Sequence, residues 1–326
     1  MTGATATLRA AARRLPGLHT LLHVVRWVLT IAAFAWIATF FAEHHVDIAD
    51  AIAGFEAGTV ALAMGCVLVG LVPGAFAWQR LLARDLPGVT ARRGILVYLR
   101  SGIGKYTPGG VLAFAIQHRL LRGERAGMVL LVRVFVGTAL AACLAAALVG
   151  LPAIAAMVEG VPDAWTAAAA LAAFAGLGLA CALGRWPILP DTLARIGVPP
   201  PVAFTAATAI MALAWTISGT HLAVLGAASD AGAVFLVSAY AFSAIAGIVF
   251  AVLPGAFGVR DGVLLAILAA RLDPADALAL ALLSRAMVVA GDVIGTGAAA
   301  MLLGRAGPAP EPTSPVPEPK GAFHDA

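Results

Sequence analysis

The chain has 326 residues, 61% of them hydrophobic and 12% charged, with a mean hydropathy of +0.96. Soluble domains carry about a quarter charged residues, so this composition excludes an ordinary soluble domain and a disordered chain. The net charge of +4 and the pI near 9.3 do not point to nucleic acid, because the cations are sparse and lie between long apolar runs; the chain reads as a polytopic membrane protein.

In chain order, residues 1–21 read as a basic amphipathic segment suited to the membrane surface, with Arg9, Arg13 and Arg14 and no acid. The apolar run over 22–42 ends Phe40-Phe41-Ala42-Glu43 without a small-residue cleavage site, so it is expected to be an uncleaved first span. A span needs about 20 apolar residues to cross a hydrocarbon core of about 30 Å. By that measure further spans are expected at 59–79, 126–150, 164–184, 202–225 and 276–303.

Two apolar stretches, 94–122 and 231–271, are interrupted instead. The first breaks at Gly102-Ile103-Gly104-Lys105-Tyr106-Thr107-Pro108-Gly109-Gly110. Its two arms have about a dozen residues each, enough to reach mid-bilayer. The second breaks at Pro254-Gly255-Ala256-Phe257-Gly258-Val259-Arg260-Asp261-Gly262. Both are read as re-entrant helical hairpins. For the second an alternative stands, since 231–253 is long enough to span and would put Arg260 near the cytoplasmic face. The Pro-rich tail over 305–326 reads as disordered and cytoplasmic.

Loop charges give an orientation. Basic clusters lie before the first span, at Arg80, Arg84, Arg92 and Arg93, and at Arg119, Arg122 and Arg125. Acidic loops hold Glu43, Asp47, Asp50 and Glu56, then Glu159 and Asp163, then Asp230. The positive-inside rule puts the basic loops and both termini in the cytoplasm. The first hairpin then enters from inside and the second from outside. The expected fold is therefore all-α, with about six full spans plus two oppositely oriented re-entrant hairpins, in an inverted repeat. In the first half the plan is 59–79, the Pro108 hairpin and 126–150 with Arg133; in the second it is 202–225, the Pro254 hairpin and 276–303 with Arg285. Inverted repeats with broken helices meeting near the midplane are a transporter architecture.

Non-helical backbone at membrane depth is tolerated only beside protein or water, so the two breaks imply a polar slot. Pro108 and Pro254 suit the first position of an outgoing helix, and Gly109, Gly110 and Gly255 would leave backbone N–H groups facing an anion. Five cations fall within the membrane, Arg100, Lys105, Arg133, Arg260 and Arg285, against the acids Asp261 and Asp292. Each such charge is costly and marks a partner, water or a ligand. Asp292 follows Arg285 by seven residues on one helix face, so the two are candidates for a shared network. Surplus positive charge at the breaks suits an anionic group, and the one expected is a lipid phosphate.

Enzyme signatures are lacking. Gly104-Lys105 is no P-loop, because Tyr106 replaces Ser/Thr, and no HExxH occurs. Cys66, Cys143 and Cys181 sit in apolar runs without metal or disulfide spacing. His118 and His221 are better read as satisfied interior histidines than as proton carriers. Gly291-x3-Gly295 and Gly70-x2-Pro73-Gly74 read as close packing and a kink.

The Gly104–Gly110 segment with Arg133, and the Leu253–Gly262 segment with Gly258, Arg260, Asp261 and Arg285, resemble the two motifs of the lysylphosphatidylglycerol synthase transmembrane-region family. The resemblance covers roughly 20–304, here as a stand-alone member without an aminoacyl-transferase domain, so lysyl transfer is not implied. Ala256 stands where that family usually has a glycine, Asp261 where it has glutamate, and Val136 where an acid often follows the first arginine. The resemblance implies a flippase-like transmembrane domain over 22–304 in the cell membrane, with no cofactor or metal. Its expected partner is an anionic phospholipid or polyprenyl-phosphate-linked lipid. Lys105, Gly109, Gly110, Arg260 and Arg285 would hold the phosphate, with Asp261 and Asp292 orienting the arginines. The alternative is a non-transporting accessory subunit of an envelope-biosynthesis glycosyltransferase.

Overall fold

A computed structural model describes residues 54–106, 111–124, 126–157, 201–250 and 256–304, with the single positions 168, 172 and 175. Among them the fold is all-helical. In order come α1 (Ala57–Asp85), α2 (Ala91–Arg100), α3 (Val111–Leu120), α4 (Met128–Ala155), α5 (Pro201–Leu225), α6 (Ala233–Val249), α7 (Ala256–Leu268) and α8 (Pro274–Gly304). Short 3₁₀ turns occupy Gly102–Tyr106 and Arg122–Glu124.

Four helices, α1, α4, α5 and α8, are long and apolar enough to cross a membrane. They coincide with the spans expected at 59–79, 126–150, 202–225 and 276–303. Together they have the length and composition of a multi-pass membrane protein. The spans expected at 22–42 and 164–184, the N-terminal segment and the tail lie outside the described residues, apart from the single positions. The long helices carry apolar residues on their outer faces as well, among them Leu62, Val69, Leu213, Val293 and Met301. That all-round apolarity belongs to a helix whose solvent is lipid.

With lipid as solvent, helix association relies on close packing of small residues. On α1, a Cβ at Gly70 would stand 2.0 Å from Ser218 Oγ of α5, so these helices meet at a point only glycine permits. Likewise Gly291 and Gly295 of α8 seat Val67 and Leu71 of α1, where a Cβ would come within 2.8 and 3.2 Å. These glycines are packing positions, as their spacing predicts. The α1 helix continues through Pro73.

Both interrupted stretches return to where they begin. At 1.5 Å per residue, α2 and α3 are each about 15 Å long, half a hydrocarbon core. Across their outer ends, Arg93 Nη2 donates to the Leu120 carbonyl at 3.2 Å and its Nε lies 3.1 Å from Glu124 Oε1. In the second stretch α6 and α7 are about 25 and 20 Å long. Here Arg271 Nη1 donates to the Ala231 carbonyl at 3.2 Å, its guanidinium over the Phe235 ring. Where α2 ends inside the protein, side chains meet its freed backbone: Thr296 Oγ1 donates to the Leu99 carbonyl at 3.1 Å and Ser101 Oγ to the Tyr98 carbonyl at 2.7 Å. Gln117 of α3 donates to that same serine hydroxyl at 3.0 Å. An interrupted helix is thereby supplied with partners that water would otherwise provide.

The packing repeats within the chain. In the centre α1 lies along α5. Around that pair, α2 packs on α1 and α8, and α6 packs on α5 and α4. Exchanging α1 with α5, α2 with α6, α3 with α7 and α4 with α8 turns each of these contacts into another that is present. The same holds for α1–α8 against α5–α4, α3–α4 against α7–α8, and α1–α4 against α5–α8. Two buried clusters follow this division. One, including Trp78, Leu82, Val97, Leu121 and Leu131, is built mainly from the first half. The other, including Leu222, Phe235, Leu268 and Leu278, is built mainly from the second.

Candidate functional site

Between the two halves lies a cavity of about 350 Å³. Its walls come from α1, α2, the Gly102–Tyr106 turn, α3, α4, α5, α6 and α8, with Arg260 reaching in from α7. The chain has only three tyrosines, and all three, Tyr98, Tyr106 and Tyr240, line this one cavity. Trp78 and Trp215 join them. Small residues of α4 and α5 (Ala139, Ala142 and Ala214) leave the volume open.

Four charged side chains line the same space: Lys105, Arg260, Arg285 and Asp292. The 3₁₀ turn carries Lys105 at its end, where the Nζ lies 2.8 Å from Asp292 Oδ1 and 2.7 Å from Oδ2. Beside it, the Tyr106 hydroxyl donates to Asp292 Oδ2. The carboxylate is almost wholly enclosed, at 4% side-chain exposure, whereas the lysine is 52% exposed. One face of the ammonium is thus bound and another is open.

One turn of α7 organises the second cluster. Gly258 has φ +96°, in the left-handed region where glycine avoids the Cβ clash, and its N–H points to Asp261 Oδ2 at 3.4 Å. This is the reach of an acidic residue back to a helix start. The same oxygen is 3.7 Å from Arg285 Nε of α8. Next to it, Arg260 projects into the cavity with its guanidinium 4.7 Å from the centre of the Tyr240 ring. Its stem runs past Gly247 of α6, where a Cβ would meet Cδ at 3.2 Å. Tyr106 joins the two clusters, for the Lys105 ammonium and the Arg285 guanidinium lie 5.5 and 5.6 Å from its ring centre. Such cation–π contacts are worth about 0.5–2 kcal/mol each, the more so where water is excluded.

The residues singled out from the sequence therefore separate. Lys105, Arg260, Arg285 and Asp292 come together at the cavity, with Gly258 and Asp261 behind them. The expected orienting of both arginines by the two aspartates needs correction at Asp292: its ion pair is with Lys105, across from α8, while Asp261 faces Arg285. Arg285 and Asp292 do share a network, and Tyr106 is its link. Arg133 stands apart from the cavity, 45% exposed, with Nη2 at 3.9 Å from Asp85 Oδ2 at the end of α1. Pro108, Gly109, Gly110, Pro254 and Gly255 lie outside the described residues.

Other candidates are structural. His221 is buried, with Nδ1–H directed to the Ser218 carbonyl and Nε2 accepting from the Ser284 hydroxyl at 2.8 Å. His118 Nδ1 meets the Ala126 carbonyl at 2.9 Å. Cys66 and Cys143 are free thiols. Among the described residues no group of three or more His, Cys, Asp or Glu could hold a metal ion. The sequence reading assigned no role to Tyr98, Tyr106 or Tyr240. Their rarity was the available signal: a phenol in a membrane interior needs a polar partner, and three in one chain point to a common polar place.

No protein-family model matches this chain, and no curated protein matches it significantly.

Proposed function

We propose that this chain is a flippase-like membrane transporter whose cavity receives the anionic headgroup of a lipid, a phospholipid or a polyprenyl-phosphate-linked species, and passes it between leaflets. The observation that carries the reading is the convergence of Lys105, Arg260 and Arg285 on one cavity against, among the described residues, a single lining carboxylate, Asp292. A cavity of about 350 Å³ suits a headgroup, with the chains left in the bilayer. Cations partly withdrawn from water and set against aromatic rings hold a phosphate more strongly than fully exposed ones, because the local dielectric is lower.

The architecture we propose is the inverted repeat in the cell membrane, with both termini cytoplasmic and the hairpins entering from opposite faces. Support comes from the exchange of helix contacts between halves and from the arginine that closes each hairpin at its base. Loop charges add the opposite orientations. The resemblance at Gly104–Gly110 and Leu253–Gly262 to the lysylphosphatidylglycerol synthase transmembrane region favours the same reading. Rocking of one half on the other would open the cavity to each leaflet in turn.

Lipid mass spectrometry of the purified protein tests this. The wild type retains an anionic lipid, and Arg260→Ala with Arg285→Ala loses it while staying monodisperse. Retention of only zwitterionic lipid, or of the same anionic lipid by the double variant, would contradict the reading.

A further inference from the structure

The exposed lysine and enclosed aspartate form a pair whose members meet unequal surroundings. Lys105 can be approached from the cavity, at 52% exposure, and Asp292 at 4% cannot. An anion that enters the cavity therefore meets the ammonium first. Lys105 is mounted on a five-residue 3₁₀ turn at the inner end of a hairpin, whereas Asp292 is fixed in the middle of a 31-residue helix. The lysine is the partner placed to move.

We propose that Asp292 is a proton-binding site coupled to anion entry: Lys105 transfers its ammonium hydrogen bonds from Asp292 to the incoming anion, and Asp292 takes up one proton from water. This rests on reading the cavity as an anion site. Charge balances, since one negative charge and one proton enter together and Lys105 keeps its own proton. Taking the cation away from an enclosed carboxylate carries a penalty while that carboxylate stays charged. Proton uptake avoids that penalty. The protonated oxygen becomes a donor, and the other oxygen still accepts from Tyr106.

The surroundings of Asp292 bear on this exchange from every packed element. The 3₁₀ turn brings Lys105 and Tyr106, and α2 brings Tyr98 to the same cavity. From α7 come Arg260, stacked on Tyr240 of α6, and Asp261, facing Arg285. On α5, His221 meets α8 at Ser284, two turns away. Beside Gly291 and Gly295, α1 brings Val67, Leu68 and Leu71.

Titration calorimetry tests the coupling on the purified full chain in detergent. The probe is short-chain phosphatidylglycerol, whose phosphodiester holds one fixed charge near neutral pH. Measured in two buffers of different ionisation enthalpy, wild type takes up about one proton per lipid bound, and its affinity falls about tenfold per pH unit on the alkaline side. Asp292→Asn binds with no proton uptake and no such pH slope. Wild-type binding with no proton uptake, at equal affinity at pH 6 and pH 8, overturns the coupling and leaves the anion site standing. No binding at all overturns the anion site, and the coupling with it. The wild-type measurement decides the matter even where the variant fails to fold.

Discussion

Arg260 and Arg285 reach one cavity from neighbouring helices but are held differently, and that difference predicts different losses. Arg285 faces the Asp261 carboxylate, whereas Arg260 lies over Tyr240 and, among the described residues, makes no ion pair within 4 Å. Tyr240→Leu removes the ring that positions Arg260, an interaction of about 0.5–2 kcal/mol. Retention of an anionic lipid probe should weaken by severalfold, measured by equilibrium binding, while Tyr240→Phe, which keeps the ring face, stays close to wild type. Equal losses in both variants would mean that the hydroxyl, not the ring, matters. Much of this was legible from sequence, because an ionisable residue inside a long apolar run is conspicuous. The partner of Asp292 was not. Helical spacing points from Asp292 to Arg285, two turns back, while Lys105 approaches from 187 residues away through a break in another helix. No local pattern encodes such a meeting.

At the scale of elements, the interrupted stretches were readable as breaks because glycine and proline cluster there and helical runs cannot absorb them. Length alone did not decide the second. The first arm of 231–271 has enough apolar residues to span, and it is the meeting of Arg271 with Ala231 and Phe235 that joins its two ends. A labelling experiment follows. With Cys66, Cys143 and Cys181 replaced, single cysteines at Gly88 and Gly123 should react with an impermeant thiol reagent from the cytoplasmic side. Those at Ser229 and Asp273 should react only from the opposite side. Labelling of the Ser229 and Asp273 positions from different sides would make the second stretch a full crossing.

The described helices are organised about the extensive α1–α5 contact, which the exchange of halves returns to itself. Its closeness depends on Gly70, with Ser218 Oγ and backbone N too near for any Cβ. Gly70→Val overfills a packed interface, which costs about 1–3 kcal/mol. Thermal unfolding in detergent should show a clear drop in midpoint. By contrast Gly65→Ala, on the same helix with no neighbour within 4 Å, should hold or raise the midpoint, because alanine is the better helix former. A repeat of helix order was visible in the sequence as span, break and span. The pairing of the halves was not, since it arises from contacts between residues far apart in the chain.

The most direct measurement is lipid movement itself. The full chain is reconstituted into vesicles bearing a fluorescent anionic phospholipid in both leaflets, and exchange is followed by its accessibility to an impermeant quencher. Wild type should bring the inner-leaflet pool into reach within the assay, and the Arg260→Ala, Arg285→Ala double variant should match protein-free vesicles. Equal rates for wild type and the double variant, or no movement by either, would contradict a cationic cavity that carries lipid headgroups across the membrane.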